Sequence, residues 1–196
     1  MSLEKRDFLL AGVGGQGTIL ASDILVEVGL SSGYDVKKSE VHGMAQRGGS
    51  VESQVRWGEK VYSPTIERGE ADFLLGFEML EVARWAGFLK PGGEVIANRY
   101  RIAPPSVNTG QATYPEESQI TDLLKSRAGK ITWIDATSEA SALGNSALAG
   151  VILLGCLAAE LPMDAGVWIE VIERLVPPRF VDLNRQAFTV GLELVR

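Results

Sequence analysis

Cysteine and histidine are nearly absent from this chain, which carries one of each in 196 residues. The single thiol, Cys156, forms no disulfide within the chain, which suits a reducing cytoplasm. It cannot supply the four thiolates of an iron–sulfur cluster or of a structural zinc site. Its neighbours Leu154, Gly155, Leu157 and Ala158 mark it as a small core residue. The single histidine, His42, leaves a zinc site with three ligands of the usual type short of donors. Positive charge is in deficit: 19 Lys and Arg stand against 25 Asp and Glu, a formal net charge of −6. A nucleic-acid partner, which needs a basic face, is therefore not expected, although Arg99 and Arg101 form a local basic pair. Long apolar runs are missing too. The longest, residues 147–159, has 13 residues, too few to cross a bilayer, and reads as a buried helix. No secretory signal opens the chain, whose start is charged at Glu4-Lys5-Arg6-Asp7 before a strand begins. The expectation is a cytoplasmic protein with no membrane and no nucleic-acid partner.

What is present fits one compact domain over residues 1–196: 45% of residues are hydrophobic and 22% charged. Residues 8–13 make a short apolar run of the buried-strand kind. Residues 18–30 place Ile19, Leu20, Ile24, Leu25 and Val28 at helical spacing and stop at Ser31-Ser32-Gly33. Residues 34–39 read as the next strand, parallel to the first because a helical crossover joins them. Residues 50–57 alternate in the strand manner, and Gly58-Glu59-Lys60 reads as a hairpin turn into a further strand at 61–63. Residues 71–77 and 94–98 are buried strands around a helix at 78–89, with Lys90-Pro91-Gly92-Gly93 as a turn. Three prolines make residues 100–115 a loop. A helix at 116–126 and a strand at 131–135 follow. The remainder is mainly helical, broken at Pro177-Pro178 before a last helix near Arg185. The fold class expected is α/β, a layered αβα domain with a mostly parallel sheet of about 5–6 strands and a helical C-terminal third.

Two segments concentrate unusual chemistry. Gly12-Val13-Gly14-Gly15-Gln16-Gly17 joins the first strand directly to the first helix. Glycine allows positive φ and close approach of another molecule to the main chain. A helix starting at Gln16 or Gly17 aims free N–H groups and a partial positive charge into the same space. Gly12, Gly14, Gly15, Gln16 and Gly17 are thus candidates for binding an anion, a cofactor or a partner subunit. The segment also matches G-x-G-x-x-G, with Asp35 and Glu40 near the position of a ribose-binding carboxylate, so an NAD(P)- or FAD-binding oxidoreductase is the alternative. A P-loop is excluded, since no Gly-Lys-Ser/Thr follows.

The second segment is Ser39-Glu40-Val41-His42-Gly43-Met44-Ala45-Gln46-Arg47-Gly48-Gly49-Ser50. It leaves the second expected strand at the edge where the first turn lies, and ligands of open α/β sheets gather beyond those carboxyl ends. Arg47 can clamp a carboxylate or phosphate, and His42 can carry protons near neutral pH; both are catalytic candidates. Glu40, Gly48 and Gly49 complete the candidate interface or cofactor surface. Equally, Glu40 with Arg47 can be a loop-fixing ion pair and the glycines can only shape the turn. No catalytic triad follows from one histidine without a nucleophile beside it.

Together the two segments resemble the gamma-type subunits of 2-oxoacid:ferredoxin oxidoreductases, and the indolepyruvate branch most. Pyruvate and oxoglutarate branches usually carry an aromatic-Gly-Pro-Glu stretch before the Arg-Gly, where this chain has Val41-His42-Gly43-Met44-Ala45-Gln46. Gly144-Asn145 before an apolar helix and Asn184-Arg185-Gln186-Ala187 also fit. The resemblance covers essentially the whole chain. It implies a subunit of a complex that converts a 2-oxoacid to acyl-CoA and CO₂ and passes electrons to ferredoxin. Thiamine diphosphate, Mg and 4Fe-4S clusters are then expected on a larger partner subunit, with CoA as co-substrate, and no cofactor or metal on this chain. Trp57, Tyr62 and Tyr100 are aromatic candidates for the contact.

Overall fold

The structure is a computed structural model that describes residues 3–42 and 49–195. Its order is β1 (Arg6–Val13), α1 (Thr18–Ser31), β2 (Asp35–His42), β3 (Ser50–Gly58), β4 (Ala71–Gly76), α2 (Met79–Trp85) and β5 (Leu89–Asn98). There follow α3 (Pro105–Asn108), α4 (Glu117–Lys125), β6 (Lys130–Ile134), α5 (Ala136–Ala142), α6 (Ala149–Ala159), α7 (Ala165–Leu175) and α8 (Val181–Leu194).

Strand alternation divides the apolar residues between two layers. Phe8 and Leu10 of β1, with Phe73 and Leu75 of β4, join the core beneath α1, α6, α7 and α8. Leu9 and Ala11, with Leu74, face the smaller core covered by α2 and α4. The expected αβα layering with a helical C-terminal third is therefore what forms. Helix α6 is apolar all round because it lies between the sheet and α8. Its crossing with α8 is made by two glycines: the Gly155 and Gly191 Cα atoms leave no room for side chains. A Cβ on Gly191 would stand 2.0 Å from the Ile152 carbonyl oxygen, and one on Gly155 would stand 2.3 Å from that of Phe188.

The sheet order is β2-β3-β1-β4-β5-β6. β3 runs antiparallel to both neighbours, and the other adjacent pairs are parallel. β2 thus points the same way as β1, as expected, but β3 is inserted between them. No strand forms at residues 61–63. Side chains of β3 and β2 take the backbone groups of that loop instead. Asp35 accepts from Val61 N at 2.8 Å, Gln54 accepts from Ile66 N at 2.5 Å, and Arg56 donates to the Thr65 carbonyl at 2.7 Å. Arg56 also holds the fully buried Asp7 carboxylate with two hydrogen bonds, of 2.9 and 3.0 Å. The expected turn at 90–93 lies inside β5, where it shifts the β4–β5 register between Ala71 and Phe73. Helix 78–89 is shorter than expected: α2 ends at Trp85 and passes into a single 3₁₀ turn.

Candidate functional site: the carboxyl edge around the glycine turn

β1 and β4 are adjacent and parallel, yet α1 and α2 pack on opposite faces of the sheet. Such a switch point opens a crevice beyond the strand ends. The glycine turn forms one wall of it, and each glycine has its own reason. Gly12 sits so close to its surroundings that a Cβ would stand 2.8 Å from both Phe77 Cβ and Thr18 Oγ1. Gly15 and Gly17 take positive φ, +102° and +81°. Gly14 N donates to the Gly49 carbonyl at 2.9 Å. That bond clips together the two segments the sequence singles out, since β1 and β3 pair from Val13–Ser50 onward.

Gln16 has a structural task. Its Oε1 accepts from Val13 N at 2.7 Å, while Nε2 donates to the Phe77 carbonyl at 2.9 Å, tying the end of β1 to the end of β4. Beyond it lies a cavity of about 310 Å³ whose far wall carries Asn98, Tyr100, Thr137 and Ser146. Asn98 donates to Thr137 Oγ1 at 2.8 Å and accepts from Thr137 N at 3.3 Å, joining β5 to α5. A second cavity, about 230 Å³, opens on the other side of the turn between Gly14, Gly17, Ile19 and Val51.

Glu78 clamps the loop that supplies Tyr100 and Ile102. It is 1% exposed and accepts from Glu81 N at 2.9 Å, Ile102 N at 3.0 Å and the Tyr114 hydroxyl. Burial, with that carboxylate beside it, raises the Tyr114 hydroxyl above its usual range. Glu78, Asn98, Ile102, Tyr114 and Thr137 are not among the site candidates of the sequence. Their contacts span 21 to 39 positions and leave no local period.

Several sequence candidates move. Ile19 and Leu20, expected on the core face of α1, are 42% and 38% exposed, while Ile24, Leu25 and Val28 are buried. Trp57 is buried against Phe8 and Tyr34, so it is no contact aromatic; Tyr62 and Tyr100 are exposed. Arg99 and Arg101 make no basic patch, because Arg99 pairs with Glu117 and Asp135 and Arg101 with Glu116. Asp35 opens β2 at the opposite edge. Its carboxyl lies below the usual value through a hydrogen bond from Lys37 and another from Val61 N. Glu40 pairs with Lys38 and lies one whole strand away from β1, about 10 Å at ordinary strand spacing. Neither carboxylate stands beside the glycine turn as a dinucleotide site requires, so the ribose-binding assignment is withdrawn. His42 ends β2 opposite Val51. Its side chain, Arg47 and Gly48 lie outside the described residues.

Residues 7–194 match the family model described as pyruvate ferredoxin/flavodoxin oxidoreductase. The chain belongs to that family. It is 38% identical to the indolepyruvate oxidoreductase subunit IorB of Pyrococcus horikoshii, over 99% of this chain and 98% of that protein. Identity to the subunit of the same name from Archaeoglobus fulgidus is 36%, over 95% and 94% of the two chains. The keto/oxoacid ferredoxin oxidoreductase gamma subunit of Geobacter sulfurreducens has the same fold, with a TM-score of 0.71 over 97% of this chain and 98% of that one at 24% identity. The 2-oxoglutarate:ferredoxin oxidoreductase of Magnetococcus marinus contains this fold within a longer chain: TM-score 0.73, 18% identity, covering 98% of this chain and 31% of that one.

This gamma-type chain does not fit an iron–sulfur cluster. Cys156 is fully buried in α6, where burial pushes its thiol up to about 12, far from a ligating thiolate. Among the described residues no group of three or more His, Cys, Asp or Glu converges as a metal site. Likewise no described helix is long and apolar enough to cross a membrane.

One buried acid gives the gamma-type chain a pH signature. Glu52 on β3 is 6% exposed, and its Oε2 has no hydrogen-bond partner. Burial raises its pKa, partly offset by a hydrogen bond from Gln54. A raised acid binds more protons folded than unfolded between its two pKa values. Its contribution to stability is complete below the ordinary value of 4.5 and falls as pH rises toward the folded value. Glu52→Gln is expected to gain stability over the parent at pH 7, and the gain should shrink toward pH 4.5. Urea midpoints at the two pH values check this; a gain that is equal at both contradicts it.

Proposed function

We propose that this chain is the small, cofactor-free subunit of an indolepyruvate-type 2-oxoacid:ferredoxin oxidoreductase. The observation that carries the reading is the 38% identity, end to end, to an indolepyruvate oxidoreductase subunit. In this reading a larger, cysteine-rich subunit holds thiamine diphosphate, Mg and the 4Fe-4S clusters. There an aryl 2-oxoacid loses CO₂ and leaves as an acyl-CoA, and ferredoxin takes the electrons. The isolated gamma-type chain is inactive.

Its own part is positional. The glycine turn and the segment 39–50 share the carboxyl edge and are clipped together by the Gly14–Gly49 hydrogen bond. This edge docks on the larger subunit, and His42 and Arg47 shape the approach of the oxoacid or CoA. Unhindered backbone at Gly15, where an added Cβ would meet nothing within 4 Å, admits a partner segment or the CoA chain closely. Purification of the tagged chain from its native cell is expected to bring down a much larger, cysteine-rich chain in equal amount. Recovery as a stable free protein with no such companion contradicts the reading.

A further inference from the structure

The face of the sheet beneath α2 carries a second surface. A groove of about 450 Å³ lies between Ser50, Arg68, Arg84, Trp85 and Phe88. It starts at the carboxyl edge, where Ser50 pairs with Val13 and follows the Gly49 carbonyl that takes Gly14 N. It ends at the 3₁₀ turn after α2, where the half-buried rings of Trp85 and Phe88 meet at 5.1 Å. The Arg68 guanidinium lies over the Phe88 ring, 5.6 Å from its centre. Gly87 makes room for it, since a Cβ there would stand 3.1 Å from Nη2.

The cations of this face are short of acids. Arg84 is neutralised by Glu81 at 2.9 Å. Arg68 is exposed and makes no ion pair or side-chain hydrogen bond among the described residues. Glu70, two positions on, turns to Arg56 at 3.8 Å, and Glu67 adds to the field at that same guanidinium. Arg127 is likewise exposed and unpaired among the described residues. Its Nη1 comes to 3.9 Å from where a Cβ on Gly69, the residue after Arg68, would stand. Every Asp and Glu of the chain lies within the described residues, and the segment 43–48 that precedes Ser50 contains none. No acid of this chain is left to complete the pair. Two such guanidinium groups beside two aromatic rings, on a chain of net charge −6, have the composition of an interface hot spot.

We infer that this groove receives an acidic segment of the larger subunit, with a carboxylate against Arg68 and Arg127 and apolar side chains on Trp85 and Phe88. The inference rests on the proposed subunit reading and extends its docking edge along the α2 face. Charge selects the occupant. An acidic segment is repelled by the surplus of carboxylates elsewhere and finds its counter-charge here, which fixes the register of docking. Aromatic walls, moreover, match a peptide with apolar flanks better than a free hydrated anion.

Arg68→Gln and Arg68→Glu lose the contact with Phe88 equally and differ only in charge. In the complex reconstituted with the larger subunit, Arg68→Glu should bind at least tenfold more weakly than Arg68→Gln. Adding Arg127→Glu should weaken it further, and high salt should narrow the gap. Arg179→Glu is the control: Arg179 stacks on Phe180 at 4.7 Å just before α8, in the opposite layer, and its replacement makes the same change of net charge. That variant should bind like the parent. Equal affinities for the Arg68 Gln and Glu variants overturn the inference while leaving the subunit reading intact. An Arg179→Glu penalty as large as that of Arg68→Glu does the same. Failure of the parent chain to form any complex overturns both. Inorganic phosphate or CoA added to the isolated chain separates a free anion from a peptide. A rise in melting temperature that Arg68→Glu abolishes would assign the groove to the free anion and overturn the inference.

Discussion

Gly191→Ala is expected to lower the stability of the chain by about 3 kcal/mol, the upper end of the usual cost of overpacking and a substantial part of the roughly 5–15 kcal/mol typical of a folded domain. The reason is geometric. The added methyl would stand 2.0 Å from the Ile152 carbonyl oxygen and 2.9 Å from Gly155 Cα, and both belong to the backbone of α6. Backbone cannot rotate aside as a side chain can, so the two helices must separate. Separation opens gaps around Ile152, Phe188 and Leu192, which are buried in the larger core. Gly87→Ala is the control. The nearest atoms to its methyl would be those of the Arg68 guanidinium, Nη2 at 3.1 Å, the far end of a flexible side chain, and it should cost less than about 1 kcal/mol. Urea midpoints of the three proteins check the contrast, and equal midpoints for the two variants would contradict the crossing described here.

Much of the fold was readable in the residues, for identifiable reasons. Six strands and their helices announce themselves through period and punctuation, as at Phe8–Ala11 and at Ser31-Ser32-Gly33. Pairing does not. That β3 slides between β2 and β1 depends on hydrogen bonds between chain segments, and no local pattern encodes them. The helical spacing of Ile19 and Leu20 is genuine, but spacing cannot say that the core face of α1 runs through Ala21, Ile24, Leu25 and Val28 and leaves Ile19 and Leu20 outside it. Gln54 and Arg56 replaced the expected strand at 61–63 by binding the loop with their side chains. The glycine turn was legible because glycine is conspicuous, and the structure gives it separate steric reasons at Gly12, Gly15 and Gly17. Gln16, conspicuous in the sequence as a candidate for binding a cofactor or partner, serves in the fold as a tie between strands. The Glu78–Tyr114 clamp and the Asn98–Thr137 pair were invisible, being contacts between distant loops.

The larger functional effect concerns turnover. If the gamma-type chain positions the approach to a reaction centre on its partner, removing it should cost far more than binding. Small misplacement of reacting groups alone can cost about 100-fold in rate. The two cavities flank the glycine turn at the sheet's carboxyl edge, and the donors there are fixed by Gly14–Gly49, Gln16–Phe77 and Asn98–Thr137 contacts. A surface so held is suited to present groups in one geometry. Arg47, which the sequence places in the clipped segment, is the residue to probe within it.

The direct measurement is indolepyruvate-dependent, CoA-dependent reduction of ferredoxin by the larger subunit alone, with the parent chain, and with Arg47→Ala. The account predicts that turnover without this chain falls at least about 100-fold. It predicts a comparable loss for Arg47→Ala in a complex that still co-elutes intact. Full turnover by the larger subunit alone would contradict it.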